Sequence, residues 1–423
     1  MRILSGSKAA ASIRKLASRS VRYASVEPAV RRIVADVRRR GDLAVRKYAE
    51  RFDGARPGAA LRVPSKEIQR AWTGADAGLK RALKTAEANI RRFCDMQKPT
   101  EWTRSREGIS LGQIVRPLDS VGCYVPGGRH PLVSTLLMTV IPAQVAGVEA
   151  IRVASPNVHT DVMAAAGMLG VHEVYSVGGA QAIAALAYGT ESIPRVDKIV
   201  GPGNVYVTVA KKEIAFDCSI DFLAGPTEGL IVCDRGTARF IASDLVAQAE
   251  HDPEAMALFI TTKRELAESV ARWVDEMCVD NEIARESIRR NGAIFVASSR
   301  KQSFDWANEI ACEHLTIERG DIALVRNAGS LFIGDYSAQA AGDYASGPNH
   351  VLPTGGAARF RGGLSVLDFV KVISVQELSR PGLRRIGPSI ETLATTEGLA
   401  AHAQSIRVRC ESSTSKRARS AHA

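Results

Sequence analysis

The string Gln248-Ala249-Glu250-His251 sets an amide oxygen and an imidazole three positions apart, and possible partners for them lie far downstream. These are Glu313-His314, Asp343 in Gly342-Asp343-Tyr344, and His402 near the C-terminus. If residues 245–251 are helical, Gln248 and His251 share one face. Asp343 then adds a carboxylate and His402 a second imidazole, making four oxygen and nitrogen donors for a tetrahedral cation. Such a set needs no cysteine and suits zinc. Spacing alone also fits a plainer reading, in which these are unrelated polar residues.

Glu313-His314 is a carboxylate beside an imidazole, between Ile310-Ala311-Cys312 and Leu315. Histidine titrates near neutrality and can take the proton of an alcohol that loses hydride. Neighbouring side chains usually point apart, so both reach one ligand only where the backbone is irregular. Cys312 could be a nucleophile, although a small buried thiol is the commoner case. Among the other histidines, His350 in Asn349-His350-Val351 is the remaining candidate to face a ligand; His130, His159, His172 and His422 sit in loops or tails.

A chain of 423 residues is long enough for two or three domains that could bring these groups together. With 45% hydrophobic and 24% charged residues it reads as globular rather than disordered. No run approaches the roughly 20 apolar residues of a membrane helix. The N-terminus lacks an apolar signal core, and the seven cysteines form no CxxC pair, which points to reduced thiols in the cytoplasm. The net charge of +11 raises a nucleic-acid hypothesis. Its clusters, Arg31-Arg32, Arg38-Arg39-Arg40 and the tail Lys416-Arg417-Ala418-Arg419, have no interleaved aromatics to stack on bases. Solvated helix faces explain them better.

Residues 25–95 read as helices, with Val30, Ile33, Val34 and Val37 at helical spacing. From 120 to 228, strand-like runs alternate with alanine-rich helical stretches: 121–125, 136–147, 151–154, 162–169 and 174–177. That alternation predicts βαβ units on a parallel sheet. A second such block follows, with strands near 229–233, 258–261 and 293–297 and helices over 239–250 and 264–279. Helix 239–250 carries Gln248, and His251 shares its face only if the helix runs on through 251. A last helix is predicted from Ser389, behind Pro388.

Gly127-Gly128, Gly178-Gly179, Gly201-Pro202-Gly203 and Gly225-Pro226 each follow a strand-like run. There a parallel sheet presents its carboxyl edge, glycine lets backbone approach a phosphate, and helix N-termini favour an anion. No GxGxxG fingerprint is present, so the turns suggest a nucleotide without specifying an ordinary site. Tyr124, Gln181, Asn204 and Thr227 lie within a few residues of these turns; a core tyrosine and a turn asparagine are the plainer readings.

Together these segments closely resemble the histidinol dehydrogenase family, from about residue 25 to about 408. The resemblance rests on 121–128, 177–184, 197–204, 242–251, Glu313-His314-Leu315 and 342–354. It implies two Rossmann-like α/β domains in an aldehyde-dehydrogenase-like architecture: a helical N-terminal segment over 1–120, an NAD-binding domain over 121–228, a zinc and substrate domain over 229–365, and a C-terminal helical dimerisation arm over 366–423. It implies oxidation of L-histidinol through bound L-histidinal to L-histidine, the last two steps of histidine biosynthesis, with two NAD molecules used in turn. One zinc per subunit would be held by Gln248, His251, Asp343 and His402, with Glu313 and His314 the catalytic pair. NAD contacts fall on Tyr124, Gln181 and Asn204. Substrate contacts fall on Ser134, Thr227, Gln248, His251, His314, Asp343, His350, Glu397 and His402. The resemblance also implies a homodimer whose crossed arms bring Glu397 and His402 to the other copy. Thr227 stands where many members carry serine, Arg129-His130 replaces smaller residues, and Pro348 replaces a small polar one.

A zinc hydrolase is the rival enzyme class. It needs an open metal position, which four protein ligands and a glycine-rich α/β block argue against.

Overall fold

The apolar runs between residues 120 and 333 build two parallel sheets with one strand order, seen in a computed structural model that describes residues 1–19, 24–127 and 131–411. Gly128, Arg129, His130 and the basic tail lie outside the described residues. The first sheet takes its strands in chain order as Ser120–Tyr124, Ala150–Ser155, Glu173–Ser176, Lys198–Val200 and Ser219–Ile220. In space the third, second, first, fourth and fifth lie side by side, all parallel. The second sheet repeats that order with Glu228–Val232, Met256–Thr261, Ala293–Val296, His314–Ile317 and Ser330–Ile333.

Strands such as Met256–Thr261 and Glu228–Val232 are buried along their whole length. Continuous apolar runs, rather than alternation, are what a sheet covered on both faces requires. Helix Val133–Ala146 covers one face of the first sheet, through Leu136, Leu137, Val140 and Ile141. Helices Glu27–Arg40 and Gly179–Tyr188 pack in the cluster on the other side, where Val30, Val34, Ile183 and Leu186 meet. Each fully buried aliphatic side chain there stabilises the fold by about 1.5–3 kcal/mol. Among the described residues no helix is long and apolar enough to cross a membrane.

The chain divides into two compact units: Met1–Lys98 with Leu118–Phe369, and Pro99–Pro117 with the residues from Val370 onward. This corrects the expected boundaries in three places. Residues before 120 are not uniformly helical: Arg2–Ser5 forms an edge strand of the second sheet, paired with Ala293–Val296. Trp102–Arg106 and Ile109–Pro117 are also strands, and Val370–Leu378 pairs antiparallel with the latter to make a three-stranded sheet in the second unit. That unit ends in helices Arg380–Thr396 and Ala400–Cys410. The first starts well before Ser389, because the Ser379 side chain accepts from the Gly382 amide and caps it, with Pro381 in the first turn. Pro388 is carried inside this helix.

Candidate active site

The amino edge of the second sheet gathers the acid–base groups. Helix Arg300–Ile310 is left through Ala311, at φ 52°, and Glu313 precedes the first residue of strand His314–Ile317. Glu313 is therefore not bound by the strand's alternation, and its carboxylate comes 3.6 Å from His314 Nδ1 although the residues are adjacent. Glu313 Oε2 accepts from Thr227 Oγ1 at 2.7 Å and from the Glu228 amide at 2.9 Å. On its other side, His314 Nε2 lies 3.2 Å from Asp343 Oδ1, and the imidazole stacks on Phe332 with ring centroids 5.9 Å apart.

His314 is 3% exposed, and its Nδ1 is the one buried side-chain polar atom among the described residues with no hydrogen-bond partner. A buried polar atom of this kind is rare and calls for a partner that the described residues do not supply. Burial alone would depress the imidazole pKa; the Glu313 charge and the Asp343 hydrogen bond reverse that and raise it to about 10. Asp343 responds in the opposite sense. Burial disfavours its charge, but His314, His350 and His251 hold its pKa below the ordinary carboxylate value. His350 donates from Nδ1 to the Asp343 carbonyl at 2.7 Å, and its Nε2 lies 3.3 Å from Thr135 Oγ1. Burial keeps this imidazole below its ordinary pKa, favouring the neutral form.

Gln248 reaches this cluster from helix Ala238–Ala249, with its Oε1 3.0 Å from Thr227 Oγ1. Gly229 makes the approach possible, since a Cβ there would meet Gln248 Cγ at 2.8 Å and Gln339 Oε1 at 3.0 Å. The helix ends at Ala249, so the expectation of one helical face carrying Gln248 and His251 is corrected. Gln248 is buried in the last turn, whereas His251 is exposed beyond it, within electrostatic reach of Asp343. Ser134 sits half-buried in the first turn of helix Val133–Ala146, beside Thr135. Glu397 and His402 belong to the second unit: Glu397 caps the C-terminus of helix Arg380–Thr396, His402 lies in helix Ala400–Cys410, and both are exposed. Among the described residues no group of three or more His, Cys, Asp and Glu side chains is placed to hold a metal. The four expected ligands are thus not assembled within one unit.

Cys312 is not a nucleophile. It is fully buried, burial pushes its thiol well above the usual range, and its Sγ lies 3.1 Å from the His314 carbonyl.

A cleft of about 1490 Å³ opens along the carboxyl edge of the first sheet and is lined by Tyr124, Gln181 and Asn204. The Tyr124 hydroxyl accepts from the Gly179 amide at 3.0 Å, and burial raises its pKa to about 12. Asn204 caps helix Val205–Ile214 by accepting from the Tyr206 and Val207 amides. Gly201 has φ +111° and its backbone crosses so close to Tyr124 that a Cβ would lie 2.1 Å from the Tyr124 carbonyl oxygen. Gly225, Pro226 and Asp252 also line the cleft; of their chain neighbours, Thr227 belongs to the polar cluster and His251 lies within electrostatic reach of it. Helix Val133–Ala146 starts at this cleft, and among the described residues no side chain caps its first amides, which can then meet an anion.

Three groups escaped the sequence reading. Thr135 looked like one polar residue in an apolar helix. Glu228, 4% exposed, is neutralised by Arg19, whose Nε donates to it at 2.7 Å directly behind Glu313. Asp53 accepts from Gln181 at 3.2 Å from the distant N-terminal helices, and no local pattern in the sequence pointed to it.

The sequence profile described as histidinol dehydrogenase matches residues 16–410. A histidinol dehydrogenase of Methanothermobacter thermautotrophicus is 47% identical over 391 residues, covering 89% of this chain and 92% of that protein. The crystal structure of histidinol dehydrogenase from Elizabethkingia anophelis superposes with a TM-score of 0.92 at 34% identity, covering 97% of this chain and 98% of that one. An acetylating aldehyde dehydrogenase from Geobacillus thermoglucosidasius, at 11% identity and a TM-score of 0.50 over 87% of this chain and 94% of its own, shares the fold alone. With the profile match spanning nearly the whole chain and relatives at this identity, the chain belongs to the histidinol dehydrogenase family.

Proposed function

We propose that the chain catalyses the zinc- and NAD-dependent four-electron oxidation of L-histidinol, through retained L-histidinal, to L-histidine. The observation that carries this reading is the buried His314 imidazole, pinned between Glu313 and Asp343 with Nδ1 unpaired. The relatives are named for the same substrate.

The donor set fits a borderline cation: Gln248 Oε1, the Asp343 carboxylate and the His251 imidazole are oxygen and nitrogen donors from one unit. His402 from a second copy would complete four, so the working form is a homodimer in which Glu397 and His402 serve the other copy's site. When bound, the cation would hold the imidazole and amine of histidinol and offset the Asp343 charge, while NAD would accept hydride.

The chain's own residues then divide the proton work. His314 accepts the alcohol proton as hydride leaves. Glu313 takes a proton from water as it adds to the aldehyde, and Thr227 and the Glu228 amide keep its carboxylate aimed. Once His314 has released that first proton to solvent, it accepts again when the hydrate loses the second hydride. Thr135 and His350 hold Asp343 from behind, and Ser134, Thr227 and His350 complete the substrate contacts. Tyr124, Gln181 and Asn204 contact the dinucleotide, with its pyrophosphate at the uncapped helix start. Burial retains the reactive aldehyde. The reduced cysteines fit a cytoplasmic enzyme.

Reduced dinucleotide counted per histidinol tests the reaction. A yield approaching two is expected; a yield of one with free histidinal accumulating sinks the four-electron reading. For the dimer, mixing inactive His251→Ala and His402→Ala chains should restore activity, because both lesions fall in one site of each heterodimer. Heterodimers that form and stay inactive would show that His402 serves its own chain.

A further inference from the structure

In a dinucleotide-binding sheet, an acid at the end of the second strand ordinarily reads the adenosine ribose. Here the second strand, Ala150–Ser155, runs into Pro156-Asn157-Val158-His159 and supplies no carboxylate. Asp53 brings one from outside the sheet. It lines the cleft together with Ser155, Pro156 and Asn157, and the Asn157 side chain donates from Nδ2 to its backbone carbonyl. Its Oδ2 accepts from the Gly178 amide at 2.9 Å and from Gln181 Nε2 at 3.2 Å. Its Oδ1 accepts from no group among the described residues and is not sealed from solvent.

One oxygen thus anchors the carboxylate to the helix that carries Gln181, and the other stands open at the cleft wall. Among the described residues no cation pairs with Asp53; the neighbouring Arg51 guanidinium lies 5.1 Å over the Phe52 ring instead. Burial pushes the Asp53 pKa up, while the bonds from Gly178 and Gln181 favour its charged form.

We infer that Asp53 selects the unphosphorylated dinucleotide, its open oxygen accepting ribose hydroxyls and its charge repelling a 2′-phosphate. This rests on reading the cleft as the dinucleotide site. A carboxylate that only capped helix Gly179–Tyr188 would contribute stability without discriminating between cofactors.

The test compares kcat/KM for NAD and NADP in the zinc-loaded full-length enzyme with Asp53→Asn, which keeps the shape and an acceptor but removes the charge. Asp53→Ser is the second variant. The preference for NAD should fall about tenfold or more, through the dinucleotide KM, with the histidinol KM unmoved. An unchanged preference in folded variants overturns the inference, as does a fall matched by an equal change in the histidinol KM. On the unaltered enzyme, adenosine 5′-monophosphate should bind more tightly than adenosine 2′,5′-bisphosphate; the reverse order also overturns it. Calorimetry with ADP-ribose separates the two levels. Binding that Asn204→Ala weakens, beside an unchanged preference in Asp53→Asn, removes only the role of Asp53. No binding to the unaltered chain removes the cleft reading and the inference with it.

Discussion

The two parallel sheets share one strand order, yet they use opposite edges. The first keeps its carboxyl edge open as the cleft beside Tyr124, Gln181 and Asn204. In the second, the turn after the first strand is occupied by the chain's own acids. Glu318 Oε1 accepts from the Asp234 and Arg235 amides at 3.1 and 3.0 Å, where an anion would otherwise sit. Asp234 Oδ1 in turn accepts from Thr261 Oγ1 and the Thr262 amide. The second sheet instead gathers its polar groups at the amino edge, where Glu313, His314 and Thr227 meet as their strands begin. A repeated scaffold therefore does not repeat a site. Which edge works is decided by where carboxylates are paired with backbone amides and where amides or imidazoles are left free.

The sharpest way to break this contrast is at the amino edge. His314→Ala should lower kcat for histidinol by about 10³-fold or more with the fold retained, the scale of a lost general base. Steady-state rates and a thermal melt check it, and a loss below tenfold would move the chemistry elsewhere. Glu313→Gln should cost about 10²-fold on added histidinal and markedly less on the first hydride transfer from histidinol, because only the second step needs an activated water. Single-turnover rates on both substrates decide; equal losses contradict that division.

At the closed edge the effects should be structural. Glu318→Ala leaves two amides without their acceptor and should lower the unfolding free energy by about 1–2 kcal/mol, with the KM values for histidinol and dinucleotide unchanged. Denaturant melts beside kinetics test it. A shifted dinucleotide KM would mean the two edges are not independent.

The smallest effect concerns Asp244, on the helix that carries Gln248. Burial raises its pKa to about 6, against an opposing bond from the Gln339 amide at the start of the helix bearing Asp343. The fold thus prefers the neutral acid, and the penalty is present above the folded pKa and absent below the unfolded one. Asp244→Asn should gain about 1 kcal/mol at pH 7 and nothing near pH 4. An equal gain at both values would rule out titration as the cause.

Much of this architecture was legible in the chain. The alternation of apolar runs and alanine-rich stretches from 120 to 297 marked the first three strands of each sheet to within a few residues, because a strand buried on both faces must be apolar throughout, while the short Lys198–Val200, Ser219–Ile220, His314–Ile317 and Ser330–Ile333 were not picked out. Glu313-His314 stood out as an acid–base pair for the same local reason. Less legible were the elements whose partners are remote. Arg2–Ser5 is a strand only because Ala293–Val296 offers it an edge, and the strands between 102 and 117 depend on Val370–Leu378. The helix carrying Gln248 stops at Ala249 rather than running through His251, and a capping serine at 379 sets the start of the last long helix.

Residue types and their local order alone settled the α/β class, the glycine turns at strand ends and the kinds of donor available for chemistry, since periodicity and side-chain chemistry are local properties. Tertiary structure alone decided that Glu313 and His314 face one site, that Asp343 grips the imidazole, that Asp53 reaches Gln181, and that Glu318 closes an edge which strand order would leave open. Each of those outcomes depends on charges and amides brought together from distant positions and stripped of water. Their energies are set by burial and by partners that no local pattern encodes.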